Sequence, residues 1–251
     1  MKLSICTDAV YRGVPTSEAI RLARQAGFEA IEFWSWWDKD LNAIREAAKA
    51  HDVKITTFCT RFVSLVDPEK RGEYLERLKQ SIEAARSLDC SRLITQTGND
   101  REGVSRELQR QHMIDGLKEC VPLLEEAGVT LLVEPLNTAV DHPGYYLSSS
   151  EEAFRIVREV GSPNVKILYD IYHQQITEGD LVRTIRANLE GIGHFHAAGH
   201  PGRGELHNGE INYPYVFAAI KEAGYQGYIG LEYFGKEPTE AALARALEMA
   251  R

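Results

Sequence analysis

Short apolar runs that stop abruptly on an ionisable residue are the feature that most constrains this chain. Val129-Thr130-Leu131-Leu132-Val133 runs into Glu134, and Pro135 ends the pattern at once. Such a run, without polar alternation, fits a strand buried on both faces, as in a parallel sheet covered by helices. A carboxylate does not belong in that core, so Glu134 is placed at the strand's C-terminal end. Three more stretches finish in the same way: residues 165–169 run into Asp170, 192–195 into His196, and 228–231 into Glu232. Four strands thus deliver Glu, Asp, His and Glu to one edge.

The rest of the chain supplies the matching elements. A first strand at 3–7 leads through a loop with Gly13 and Pro15 to Thr16-Ser17-Glu18, which opens a helix that stops at Gly27. Strands are expected at 30–33, 53–58 and 91–95, with helices at 41–51, 74–88 and about 107–127 between and after them. Ser149-Ser150-Glu151-Glu152 caps a helix that runs to Val160. Further helices are expected at 180–189, 214–223 and 239–250. Strand and helix alternate eight times without a linker or a change of composition. Alternation implies parallel pairing, and eight units within 251 residues predict one (β/α)8 TIM-barrel domain spanning 1–251. An internal echo supports a repeated unit. Ala26-Gly27, Ala127-Gly128 and Ala223-Gly224 each lead through a strand to a terminal glutamate, at Glu32, Glu134 and Glu232.

Composition narrows the function. A formal net charge of −8 argues against a nucleic-acid groove or an anionic membrane surface as partner. No apolar run approaches the roughly 20 residues of a membrane span. The first residues enter a strand directly, without signal-peptide anatomy. Cys6, Cys59, Cys90 and Cys120 lie far apart with no C-x-x-C pair, which reads as reduced thiols in a cytoplasmic protein. No G-x-S-x-G elbow, Walker loop or dinucleotide-binding glycine fingerprint is present.

In a barrel of this kind the active site lies at the C-terminal ends of the strands. Glu134, Asp170, His196 and Glu232 hold that position on the fifth to eighth strands, 36, 26 and 36 residues apart. Three converging carboxylates repel one another unless a cation sits among them. Carboxylate oxygens with one imidazole suit one divalent ion, whether Mn, Mg, Co or Zn. The bland alternative is that each acid caps a neighbouring helix or pairs with an arginine. His173 follows three residues after Asp170, and Arg203 sits in a loop rich in glycine, histidine and charge, where it either grips a ligand or neutralises Glu205 or Glu210. Trp34, Trp36 and Trp37 either wall the pocket or form a contact in a homo-oligomer. Glu32 points at the mouth and is read as a supporting residue, while Cys6 and Cys59 end strands without a flanking base.

With these pieces assembled, the chain resembles the hydroxypyruvate isomerase family within the xylose isomerase-like barrel superfamily. The resemblance spans nearly the whole chain. It rests on Gly27-Phe28-Glu29-Ala30-Ile31-Glu32-Phe33, Val133-Glu134-Pro135-Leu136-Asn137, Tyr169-Asp170-Ile171-Tyr172-His173, Pro201-Gly202-Arg203-Gly204-Glu205 and Gly230-Leu231-Glu232-Tyr233. The resemblance implies a metal-dependent isomerase acting on a small hydroxy-keto acid or sugar, of the hydroxypyruvate to tartronate semialdehyde type. By similarity to the related ketose 3-epimerases, Glu134, Asp170, His196 and Glu232 are the metal ligands and Glu134 and Glu232 the acid/base pair. On the same basis His173 and Arg203 are substrate contacts. One departure stands out: hydroxypyruvate isomerases carry Gln at the position of His196, and His is the epimerase-type residue. A ketose 3-epimerase is therefore the near alternative. An apurinic endonuclease is a remote one, since the histidines it needs at the third and fourth strand ends are here Cys59-Thr60 and Gln96-Thr97. A non-catalytic sugar-binding barrel would require a vestigial metal site.

Overall fold

Uninterrupted apolar runs leave a strand no wet face, and the chain meets that demand by closing its sheet into a ring. The computed structural model describes residues 1–236 and 239–251. In chain order the elements are β1 (Lys2–Cys6), α1 (Thr7–Val10), α2 (Thr16–Gln25), β2 (Ala30–Phe33), α3 (Leu41–His51), β3 (Lys54–Cys59), α4 (Arg71–Ser87), β4 (Arg92–Thr95) and α5 (Arg106–Ala127). They continue with β5 (Thr130–Val133), α6 (Ser150–Val160), β6 (Val165–Asp170), α7 (Ile171–Thr177), α8 (Leu181–Asn188), β7 (Ile192–Ala197), α9 (Tyr213–Glu222), β8 (Tyr228–Leu231) and α10 (Thr239–Met249). The strands pair in parallel in sequence order, and β1 closes on β8 with Lys2 opposite Tyr228 and Ile5 opposite Leu231. The expected eight-stranded barrel is the fold.

Local chemistry explains most boundaries. The Asp40 side chain accepts from the backbone N–H groups of Asn42 and Ala43 to start α3. Ser149 does the same for α6 through Glu152 N–H, as its position before two glutamates predicted. Gly128 takes φ +66° after α5, the left-handed turn that lets the chain drop directly into β5. Pro122 lies within α5, which continues past it.

The space inside the ring is divided. Cys59, Ile94, Leu132 and Leu168 make a small apolar cluster from β3 to β6, with Trp34 packed on it. Across from them, Ser4, Glu32, Thr56 and His194 form a hydrogen-bonded polar layer from β1, β2, β3 and β7. Two glycines make room for these groups. A Cβ on Gly193 would lie 2.5 Å from Leu132 Cδ2, and one on Gly230 would lie 2.1 Å from Glu32 Oε1.

Two differences from the sequence-based expectation concern the top of the barrel. Helices α1 and α7 are additional to the eight expected, and each starts at the residue following a strand. For α7 the reason is visible: Asp170 Oδ1 accepts from Tyr172 and His173 N–H, which turns the chain into a helix at once. Glu32 also differs. It is a residue of β2 and turns into the barrel rather than to the open mouth. Its neighbours there are donors, which is what a buried carboxylate needs.

Candidate active site

The four strand-end residues meet. Glu134 follows β5, Asp170 ends β6, His196 lies in β7 opposite Asp170 in register, and Glu232 follows β8. Donor atoms from all four lie within 4.8 Å of one another, and all four side chains are buried. His196 Nδ1 lies 3.3 Å from Glu232 Oε2 and 3.8 Å from Glu134 Oε1 without completing a hydrogen bond to either. A buried nitrogen left this way, facing two carboxylates, fits a shared cation. Three carboxylate oxygens and one imidazole are a donor set that Mn, Mg, Co or Zn accepts.

Electrostatics make the same case. Burial, and then the charge of Glu232, pushes the Glu134 carboxyl up to about 8. Burial likewise raises Asp170, against the pull of Arg203. Burial opposes ionisation of Glu232 as well, but Arg203 and then His196 hold it well below the usual carboxylate range. Glu134 and Asp170 are the acids left short of positive charge. A divalent ion would favour the ionised form of every acid in it.

Both flanking residues expected from the sequence reach the cluster. Arg203 adopts φ +50° in the loop after β7, with its guanidinium between the rings of Tyr172 (5.4 Å) and Phe234 (5.8 Å). Its Nη2 donates to Glu232 Oε2 and lies 3.9 Å from Asp170 Oδ2. His173 is fully buried, and its Nδ1 accepts from the backbone N–H of Asn137 at 3.3 Å. Asn137 Nδ2 lies 2.6 Å from the same nitrogen. Two donors on Nδ1 place the ring proton on Nε2, which lies 3.6 Å from Asp170 Oδ2. Burial, and then Arg203, lowers His173 to about 3, so it is a neutral donor. The bland alternative holds in part: Asp170 Oδ1 caps a helix and Glu232 Oε2 pairs with Arg203. Asp170 Oδ2 faces His173 and Arg203.

Glu134, His173, His196, Arg203 and Glu232 line a cavity of about 580 Å³, within the range of small-molecule sites. Trp34, Phe62, Val63, Leu136 and Phe234 supply apolar wall, and Gln96 and Tyr145 polar points. The tryptophans split. Trp34 lines the cavity and donates its indole N–H to Glu232 Oε1, while Trp37 stacks edge-on against the exposed Phe62 at 5.4 Å.

This architecture matches known proteins. Residues 20–251 match the family model described as a xylose isomerase-like TIM barrel. The chain belongs to that family. Within it, the chain is 31% identical over 230 residues to the hydroxypyruvate isomerase of Escherichia coli (strain K12), covering 88% of each protein. It is 35% identical over 176 residues to the 2-oxo-tetronate isomerase of Cupriavidus necator, covering 70% of this chain and 67% of that one. Among solved structures, the family 2 AP endonuclease of Brucella melitensis superposes with a TM-score of 0.93 at 32% identity, over 98% of both chains.

Set in the xylose isomerase-like barrel, three features went unassigned in the sequence. His194 is two residues before His196 on β7, so alternation points both to the barrel interior. That spacing is the signal the sequence offers for it. Tyr145 accepts from Thr97 N–H at 2.7 Å and donates to the Glu134 carbonyl at 3.0 Å, fixing the ends of β4 and β5. It gave no signal, because it lies in a loop. Asp141 ties Asn137 (2.7 Å) and Tyr172 (2.9 Å) together behind His173. Cys59 lines the cavity, but burial raises its thiol well above the ordinary range, the opposite of an activated nucleophile.

Proposed function

We propose that this chain is a divalent-metal-dependent isomerase that interconverts a small hydroxy-keto acid and its aldehyde form through an enediolate. The observation that carries this reading is the buried Glu134–Asp170–His196–Glu232 cluster, three of whose members line a cavity together with Arg203. The relatives named hydroxypyruvate isomerase and 2-oxo-tetronate isomerase support the substrate class.

A divalent ion held by these four residues supplies Lewis acidity to a substrate carbonyl and its adjacent hydroxyl. The Arg203 guanidinium holds the substrate carboxylate, and His173 Nε2–H donates to a substrate oxygen. One of the two glutamates removes the proton from the hydroxyl-bearing carbon, leaving the enediolate. The same glutamate or its partner returns a proton to the neighbouring carbon, while the hydroxyl proton passes to the former carbonyl oxygen. Trp34, Val63 and Leu136 give the intermediate an apolar wall that limits its contact with bulk water.

Epimerisation of a ketose is the second reading. It is favoured by Glu134 and Glu232 approaching His196 from strands three places apart in the ring, as a two-base mechanism across one substrate carbon requires. The net charge of −8 and the cysteine and glutamine at the third and fourth strand ends speak against a nuclease. Proton NMR in deuterated buffer, with hydroxypyruvate, 2-oxo-tetronate and ketohexoses offered to chelated and Mn-loaded protein, tests the proposal. Deuterium entry and conversion of a hydroxy-keto acid only with metal is expected. Conversion by metal-free protein, or of ketohexoses alone, would overturn it.

A further inference from the structure

Glu32 belongs to none of the roles above, yet it is fully buried inside the barrel and surrounded by donors. Its Oε2 accepts from Ser4 Oγ at 2.7 Å and Thr56 Oγ1 at 3.1 Å, and lies 2.9 Å from His194 Nε2. Its Oε1 lies 2.6 Å from His196 Nε2, an ion-pair contact, and neither of these two atoms completes a hydrogen bond among the described residues. The backbone makes room for it, since any side chain on Gly230 would collide with this carboxylate.

We infer that Glu32 is a positioning residue for His196: it holds the proton on Nε2 and so turns the lone pair of Nδ1 toward the three carboxylates of the metal cluster. A neutral imidazole carries one proton, and the partner of one nitrogen decides which nitrogen is free to bind a metal. A carboxylate can only accept, so Nε2 must be the donor. Nδ1, on the opposite side of the ring, faces Glu134 and Glu232. Ser4, Thr56 and His194 occupy Oε2, which leaves Oε1 to His196 and fixes the carboxylate's orientation. The polar layer inside the barrel thus serves the mouth.

This inference rests on the metal reading, and the experiment separates the two. Mn binding to chelated protein is measured by calorimetry for the wild type, Glu32→Gln, Gly230→Ala, His196→Ala and Glu32→Gln/His196→Ala. Wild type should bind, and Glu32→Gln and Gly230→Ala should each lose about 10–100-fold in affinity, the usual range for a group behind a ligand. In the His196→Ala background, Glu32→Gln should cost nothing further, because its effect passes through His196. An undiminished loss in that background would mean a merely structural role and overturn the inference. Equal affinity in wild type and Glu32→Gln would overturn it while leaving the metal site standing, and no Mn binding by wild type would remove both. A measurement on wild type alone covers variants that fail to fold. In Zn-loaded, ¹⁵N-histidine-labelled protein, His196 should be protonated at Nε2, and a proton on Nδ1 instead would sink the idea.

Discussion

At the scale of single residues, Glu134 and Glu232 look alike in sequence and differ in surroundings. Glu232 receives hydrogen bonds from Trp34 and Arg203, whereas Glu134 is raised by burial and by Glu232 itself. Glu→Gln keeps shape and one oxygen ligand at either position. Each substitution should leave the fold intact by circular dichroism and lower turnover by at least ~10²-fold, the scale of lost acid–base catalysis. Solvent deuterium uptake should also separate them. An isomerase using one base loses exchange in only one of the two variants, while an epimerase keeps exchange on the intact face in each. Near wild-type rates in both would reduce the glutamates to structural ligands. Arg203→Lys tests the substrate grip. A point charge does not reproduce the guanidinium fork, so substrate binding should weaken by about 1–3 kcal/mol. Unchanged KM and kcat would return Arg203 to the role of partner to Glu232.

At the scale of elements, Asp170 does two jobs with two oxygens, and substitution can divide them. Asn caps a helix about as well as Asp, while Ala costs roughly 0.5–2 kcal/mol at such a position. Asp170→Asn should therefore keep the melting temperature of the metal-free protein and still lose metal affinity, and Asp170→Ala should lose both. If Asn and Ala melt alike, the cap contributes nothing to stability. The same residue shows what was legible beforehand. The eight strands could be read because a parallel barrel buries both faces and leaves continuous apolar runs. The strand-end cluster could be read because each run stops on an ionisable residue. Helix α7 could not, since its seven residues begin where an expected ligand turns out to be a cap as well. The pairing of Glu32 with His194 spans 162 residues of sequence, and only barrel closure brings them together. Local pattern carries no trace of that contact.

At the scale of the molecule, the cluster draws one residue from each of β5 to β8 or the turn just beyond, and β1 to β3, with His194 of β7, supply the layer beneath it. A bound ion therefore ties half the ring together directly and bears on the other half through Glu32 and Trp34. It should stabilise the whole barrel rather than one loop. An ion that binds only the folded chain adds about 2.7 kcal/mol when present at a hundred times its dissociation constant. For a chain of this size each kcal/mol raises Tm by roughly 2–4 °C, so the shift should be about 5–10 °C. Thermal unfolding followed by circular dichroism, in chelator and then in saturating Mn, Mg, Co or Zn, measures it. A single transition that moves intact is the expected result, because separate movement of one part would mean the ion bridges only a local segment. The shift should shrink in Asp170→Asn, where the ligand charge is gone but the barrel is not. Identical melting in chelator and in all four ions would leave three buried carboxylates and an imidazole gathered at one end of a barrel with nothing to hold.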